Sequence, residues 1–385
     1  MELTARAKNF KLSGIREVFT AAEKYDNKIN FGIGEPGFKT PQHIIDKACW
    51  ALNNGYTKYV ANAGIMPLRE AIAKKYNTQN GFSGLTFKNV MVHFGATQSL
   101  MAAMQCILEP GDELLVPCPY FGSYKGMAEL AGATVVEFPV YEKDKFHVKA
   151  AELEKYITKK TKALIFNSPC NPTGAVTSKE DMLEIAELAK KYDFYVIADE
   201  PYETFAYDGI EVCSFGSLPD MFDRTITCNA FSKTYAMTGW RLGYMVAPEN
   251  VIDAAIKLQT YLTVNAVGAF EVAAIEALEG PQDSVAMMAR EYQKRRDIIV
   301  KGLNEVKGVS CIKPEGAFYA FANIRDTGLT SRELTFKLLE EVQLVTVPGS
   351  AFGSYGEGFL RCSYCCSEED LIEGIVRMKK CLGEK

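Results

Sequence analysis

Between about residues 85 and 250, short apolar runs alternate with amphipathic stretches, and few folds accommodate that order. A run that is apolar throughout must be buried on both faces. When a helix follows each such run, the strands come out parallel and the helices cover both sides of the sheet. MVHFGATQSLMAAMQCIL reads as strand, tight turn and helix, while ELLVPCPYF, ATVVEFPV, ALIFNSP and FYVIADEP are strand-like runs that each open into a Gly, Pro or Asn turn. SKEDMLEIAELAKKYD places apolar residues at helical spacing behind Ser178, a residue type that caps helix N-termini. Ligands of open α/β sheets bind beyond the carboxyl ends of the strands, so the residues just after each run are the candidates for chemistry.

Past residue 280 the pattern changes to charged helices such as REYQKRRDIIVKGLNEV and SRELTFKLLEEV, with a strand-like AFYAFANI between them, which predicts a smaller α/β domain. A chain of 385 residues is too long for one compact core and suits a large and a small domain. With 48% hydrophobic and 24% charged residues it is expected to fold fully. A formal net charge of -5 offers no attraction to nucleic acid or anionic membranes, so a small-molecule partner is expected. The N-terminus, Met1-Glu2-Leu3-Thr4-Ala5-Arg6, lacks a secretory apolar stretch, and no run of about 18 apolar residues spans a bilayer. Eleven cysteines without paired spacing read as reduced thiols, which makes the cytoplasm the expected compartment. Cys362, Cys365 and Cys366 cluster, but no matching second pair of metal ligands accompanies them, so no metal site is expected. His43, His93 and His147 stand apart in sequence and read as structural or surface groups.

The chemistry-bearing residues follow the strand-like runs. Lys233 stands among small and hydroxylated residues in TITCNAFSKTYAMTGWRLGYMVAP, with Arg241 eight positions on. Burial and nearby cations would lower such a lysine's pKa and free its lone pair for imine formation, whereas a surface lysine in a loop is the plainer alternative. Asp199 and Glu200 end a very apolar strand, where an acid is costly unless it meets a cation or a strong donor. A protonated pyridine nitrogen is one such partner for Asp199, and a helix N-cap role is the other reading. In SPCNPTG, Asn171 precedes Pro172 and Gly174 permits a tight turn, so the amide either bonds a ring hydroxyl or belongs to a plain Asn-Pro turn. Gly95, Ala96, Thr97 and Gln98 open a helix after MVHF and can offer backbone N–H groups and a hydroxyl to a phosphate. That turn is neither the dinucleotide fingerprint nor a P-loop.

Together these pieces resemble the fold type I pyridoxal phosphate (PLP) enzymes, and specifically the class I aminotransferases of the aspartate and aromatic aminotransferase group. GATQ, SPCNPTG, ADEPY, SKTYAMTGWRLGY and FLRCSY occur in that family's order, and the likeness runs from SGIREVF and IGEPGF to the last helix. The resemblance implies an α/β fold whose large domain carries a mostly parallel seven-stranded sheet between helices, with a smaller α/β domain beside it. It divides the chain into an N-terminal segment 1–42 that contributes to the small domain, a PLP-binding domain 43–280 and a small C-terminal domain 281–385. It also implies that Lys233 carries PLP as a Schiff base, that Asp199 pairs with the pyridinium nitrogen, and that Asn171 and Tyr202 hydrogen-bond the ring oxygen. Phe121 would stack on the ring. Gly95, Ala96, Thr97, Ser232 and Arg241 would hold the phosphate, joined by Tyr59 from the second subunit of a homodimer. Arg361, Gly34 and Asn171 would receive the substrate, with Arg361 and Gly34 fixing its α-carboxylate. Arginine suits both anion tasks because its rigid fork matches a carboxylate or phosphate.

The sequence departs from that pattern at Gly37 of IGEPGF, where many relatives have Asp, and at Thr97, where some aspartate-using relatives place Lys. Ile15, with Phe19 and Phe31, would suit an apolar or aromatic substrate side chain or else belong to the small-domain core. The implied activity is ping-pong transfer of an amino group from an aromatic, acidic or broader range of L-amino acids to a 2-oxo acid such as 2-oxoglutarate. A PLP-dependent carbon–sulfur β-lyase would use the same lysine and aspartate. A PLP-sensing regulator would need a DNA-binding domain ahead of motifs that begin almost at residue 1, and a nicotinamide dehydrogenase would need a glycine fingerprint that is missing. If Lys233 both holds the cofactor and moves the proton, Lys233→Ala abolishes turnover and the imine absorbance together, as assay and visible spectrum of the purified variant would report.

Overall fold

The computed structural model describes residues 2–4, 7–8 and 14–385. After a short strand β1 (Ile29–Asn30), the main sheet is built from β2 (Val90–His93), β3 (Glu113–Cys118), β4 (Thr134–Pro139), β5 (Thr161–Asn167), β6 (Tyr195–Asp199), β7 (Thr225–Ala230) and β8 (Gly243–Val246). Its order is β2-β8-β7-β6-β5-β3-β4. Neighbours from β7 to β4 pair in parallel, whereas β8 runs antiparallel to both β7 and β2. The apolar alternation thus marks β2 to β6 as strands. β7 and β8, which flank the SKTYAM segment and which that alternation does not single out, complete the sheet.

Helices cover both faces because each apolar run is buried along its length. The helix Lys179–Tyr192 turns Met182, Ile185, Ala186 and Ala189 into the core beside Phe166, Phe194 and Val196, and Ser178 Oγ caps it by accepting the Asp181 N–H at 3.2 Å. The parallel ladder brings the ends of β5 and β6 into register, Asn167 opposite Asp199, with Asp199 opposite Cys228 on β7. The chemistry-bearing turns therefore emerge side by side.

A second layer holds β9 (Tyr319–Asn323), β10 (Leu344–Val345), β11 (Val347–Pro348) and β12 (Phe359–Ser363). β11, β12 and β9 form an antiparallel sheet in that order, while β10 pairs in parallel with β1. The helices Asp283–Asn304, Ser331–Val342 and Glu368–Leu382 pack against them. The first begins before the charged run that suggests it, and Met288, two residues ahead of that run, is also buried. The helix Gly14–Ala22 packs Val18 and Ala22 on Leu339 and Val345, so the N-terminal stretch joins this layer.

At one place two backbones touch where a side chain would normally intervene. Gly243 of β8 lies so close to the turn after β2 that a Cβ there would sit 2.5 Å from Gly95 C and 2.6 Å from Ala96 N. Gly95 itself has φ +76, a conformation that favours glycine. Gly243→Ala must push the turn away from the sheet, and overpacking of this kind costs about 1–3 kcal/mol. A lower urea midpoint at unchanged slope is the expected result.

Candidate active site

The turns at the sheet's carboxyl edge and the inner face of the second layer enclose a cavity of about 300 Å³. Lys233 lies in its wall, on the helical turn Phe231–Thr234 that leaves β7, and its Nζ donates to the Gly34 carbonyl at 2.5 Å. Burial lowers the free amine to about 8. The nearby Cys365 and Glu35 oppose that shift weakly, and the Arg361 and Arg241 charges reinforce it. The amine is thus a usable base at mildly alkaline pH.

Asp199 ends β6 and is 5% exposed. One carboxylate oxygen accepts the Tyr124 hydroxyl at 2.5 Å, and the other, Oδ1, is buried with no partner. Burial pushes its carboxyl up to about 6, against the Tyr124 hydrogen bond and the Lys233 charge. Asp199 caps no helix, since β6 runs into a turn. Asn167 sets the neighbouring turn: its Nδ2 donates to the Asp199 carbonyl at 2.7 Å, and its Oδ1 accepts the Asn171 N–H at 2.9 Å.

On the opposite wall Arg361 projects from β12 and is 3% exposed. Its Nη1 donates to Asn171 Oδ1 at 3.1 Å and its Nη2 to the Gly32 carbonyl at 2.5 Å, while Nε has no partner. The guanidinium lies over the rings of Tyr319 (4.5 Å) and Phe352 (4.9 Å). The hydroxyls of Tyr319 and Tyr202 share a hydrogen bond of 2.9 Å. A side chain at Gly34 would collide with the Tyr319 hydroxyl. Phe121 meets Tyr124 edge-on, with ring centroids 5.6 Å apart.

At the end formed by the turn after β2, Ala96, Thr97, Ser232 and Arg241 line the cavity. Arg241 lies against the backbone of Gly95 and donates to the Thr238 carbonyl at 2.9 Å. Gln98 is already engaged: its oxygen accepts the Phe94 N–H at 2.7 Å, and its amide donates to Gln259 and Thr263. It fastens the turn.

Ile15, Gly34, Phe121, Asn171, Tyr202 and Lys233 therefore share one cavity with Asp199, Arg361 and the residues of the phosphate end just named. Gly95 stands behind that end. Tyr59, by contrast, is 87% exposed and lies outside the cavity. Phe19 lines the cavity, whereas Phe31 belongs to the core of the second layer. Tyr124, Tyr319, Asn167 and Gly32 are contributors that the sequence reading does not name. The three histidines lie elsewhere: His43 meets Glu276, His147 meets Glu315, and buried His93 meets Ser99, with burial lowering His93 to about 3. Among the described residues no group of three or more His, Cys, Asp or Glu is placed to hold a metal ion, and no helix is long and apolar enough to cross a membrane.

A buried carboxylate with one oxygen unpartnered, a buried amine, an arginine-lined glycine turn and a second arginine around one cavity fit a phosphorylated pyridine aldehyde and an amino acid, as in fold type I PLP enzymes. Comparison with known proteins agrees. The family model "Aminotransferase class I and II" matches residues 26–378. The "Aromatic-amino-acid aminotransferase 2" of Thermococcus litoralis is 45% identical over 100% of this chain and 99% of its own length. The "Aspartate aminotransferase" of Pyrococcus abyssi is 47% identical, covering 97% and 96%. The solved structure of an aromatic aminotransferase from Pyrococcus horikoshii superposes with a TM-score of 0.90 at 46% identity, covering 95% of this chain and 98% of that one. The chain belongs to the class I and II aminotransferase family and is a PLP-dependent transaminase.

In the cofactor-free protein, condensation of Lys233 with a soluble aldehyde should speed up as pH rises through about 8 and level off above it. Borohydride trapping followed by peptide mass measurement gives the midpoint; one near 10, the ordinary lysine value, would contradict the burial effect.

Proposed function

We propose that the protein transfers the amino group of an aromatic or similarly apolar L-amino acid to a 2-oxo acid such as 2-oxoglutarate. The observation that carries this reading is the wall formed by Ile15 and Phe19. The cations lining the cavity, Lys233, Arg241 and Arg361, all have other tasks in the scheme below, and Thr97 adds no charge. A donor's second carboxylate would find no dedicated partner among the described lining residues. An aspartate preference is the second reading, favoured by relatives named for that substrate.

In this scheme PLP, when bound, supplies an electron sink that makes the substrate's α-hydrogen acidic. Lys233 is its attachment point. Asp199, through the oxygen left unpartnered, keeps the ring nitrogen protonated, while Tyr124 orients that carboxylate from its other side. Asn171 and Tyr202 would hydrogen-bond the ring oxygen and Phe121 would stack on the ring, all three being lining residues of the cavity. Ala96, Thr97, Ser232 and Arg241 receive the phosphate, with Gly95 giving the turn its shape. Arg361 offers its fork to the α-carboxylate beside Gly34, and binding there places the α-hydrogen within reach of the Lys233 amine. That amine, which burial lets shed its proton at mildly alkaline pH, would take up the α-proton and hand it back a short distance away. The enclosing aromatic side chains keep bulk water from competing for that proton.

The working form in this reading is a homodimer in the cytoplasm. Trp50, Leu52, Tyr56, Tyr59, Tyr261 and Val267 are exposed large apolar groups, with Tyr59 and Tyr261 at 87% and 88%. Val60, beside Tyr59, packs on Gly268, so the two stretches form one patch of the kind that partners cover. A second copy over it would let Tyr59 complete the neighbour's phosphate end. The cysteines are all free, as suits a reducing compartment. The substrate claim is tested by kcat/KM for phenylalanine, tyrosine, leucine and aspartate with 2-oxoglutarate. Aromatic donors should exceed aspartate by about tenfold or more, the scale of one unpaired charge in a closed site; aspartate equal to or better than phenylalanine would sink it.

A further inference from the structure

Glu271 is a buried acid with no part in that chemistry. It is 0% exposed, on the helix Gly268–Glu279, and its Oε1 is enclosed without a partner. Its Oε2 accepts one hydrogen bond, from the Ile65 N–H at 2.6 Å. Ile65 precedes the helix Met66–Gln79 and closes the segment 54–65 that carries Tyr59; it has no side-chain cap of its own, so a carboxylate here also faces the positive end of that helix.

Two further contacts tie the same segment down. The Ala63 carbonyl accepts the Val92 N–H of β2 at 2.9 Å, three residues before the turn that receives the phosphate. Val60 Cγ1 occupies the space above Gly268, only 2.8 Å from where a Cβ would stand. Gly64, at φ +95, has no room for a side chain between Val92 and the Glu271 carboxylate. A buried carboxylate with one oxygen unsatisfied costs stability. The single hydrogen bond it makes goes to the base of the Tyr59 segment, and Arg69, in the first turn of the helix it faces, is the charge beside it.

We propose that Glu271 is a positioning residue for transamination: it clasps the 54–65 segment so that Tyr59 stands where it reaches the partner's bound phosphate. This rests on the reading of Tyr59 as a cross-subunit phosphate ligand, and the test separates the two. The dissociation constant for PLP is measured for E271A, Y59F and the double variant as assembled proteins, together with amide hydrogen exchange of residues 59–65. E271A and Y59F should each weaken PLP by about tenfold, the scale of one lost hydrogen bond to a charged group. The double variant should be no weaker than Y59F alone, since Glu271 acts through Tyr59. Exchange should quicken at 63–65 in E271A. Losses that multiply, or unchanged exchange, overturn the role of Glu271. A Y59F protein that binds PLP normally overturns the cross-subunit reading and the proposal with it. Should E271A not fold, E271M, which fills similar space without an oxygen acceptor, carries the exchange measurement: faster exchange at 63–65 supports the clasp and unchanged exchange overturns it.

Discussion

Two ionisable groups of opposite sign, Lys233 and Asp199, are held in one low-dielectric cavity without forming an ion pair with each other, and the surrounding structure serves that arrangement. Each is driven toward its neutral form by burial, the amine down to about 8 and the carboxyl up to about 6. A direct pair would neutralise both and leave the cavity chemically quiet. The groups instead keep separate partners, the Gly34 carbonyl for the lysine and the Tyr124 hydroxyl for the aspartate. One carboxylate oxygen is left open to a ligand. Buried polar atoms without partners are rare because they are expensive, and the two around this cavity that belong to charged groups, Asp199 Oδ1 and Arg361 Nε, are both suited to binding.

The fold supplies that separation through its sheet. In a parallel ladder the strand ends line up, so Asn167, Asp199 and Cys228 lie abreast and their turns fan out over one edge. The amide of Asn167 locks the Asn171 turn to the backbone of Asp199. The second layer then closes the cavity from above: Arg361 reaches across to Asn171 and to Gly32, and Tyr319 meets Tyr202. Every one of those contacts joins residues far apart in sequence. A change in how the two layers sit therefore alters the carboxylate end and the ring end together.

Much of this was legible in the sequence. Ser178, the helix behind it and the strands through β6 follow from apolar spacing and from residue types with strong local preferences. Lys233, Asp199, Asn171, Arg241 and Arg361 stand in motifs whose order carries the family resemblance, and they meet in the structure. Tyr319 and Tyr124 were not legible, because in an apolar run a tyrosine looks like any core aromatic until the atom opposite its hydroxyl is known. Gln98 has the right place for a phosphate ligand, yet its amide is occupied by Phe94, Gln259 and Thr263. Glu271 gave no signal at all, since an acid in a helix ordinarily faces water.

The sequence by itself determined the class of fold and the identity of the reactive groups. Periodicity sets which elements form, and the chemistry of a lysine amine or an arginine fork is a property of the side chain. Tertiary structure alone decided which of the buried polar atoms remain unsatisfied. That depends on whether a partner from a distant segment arrives within hydrogen-bonding distance, and only the packing of the two layers fixes such distances.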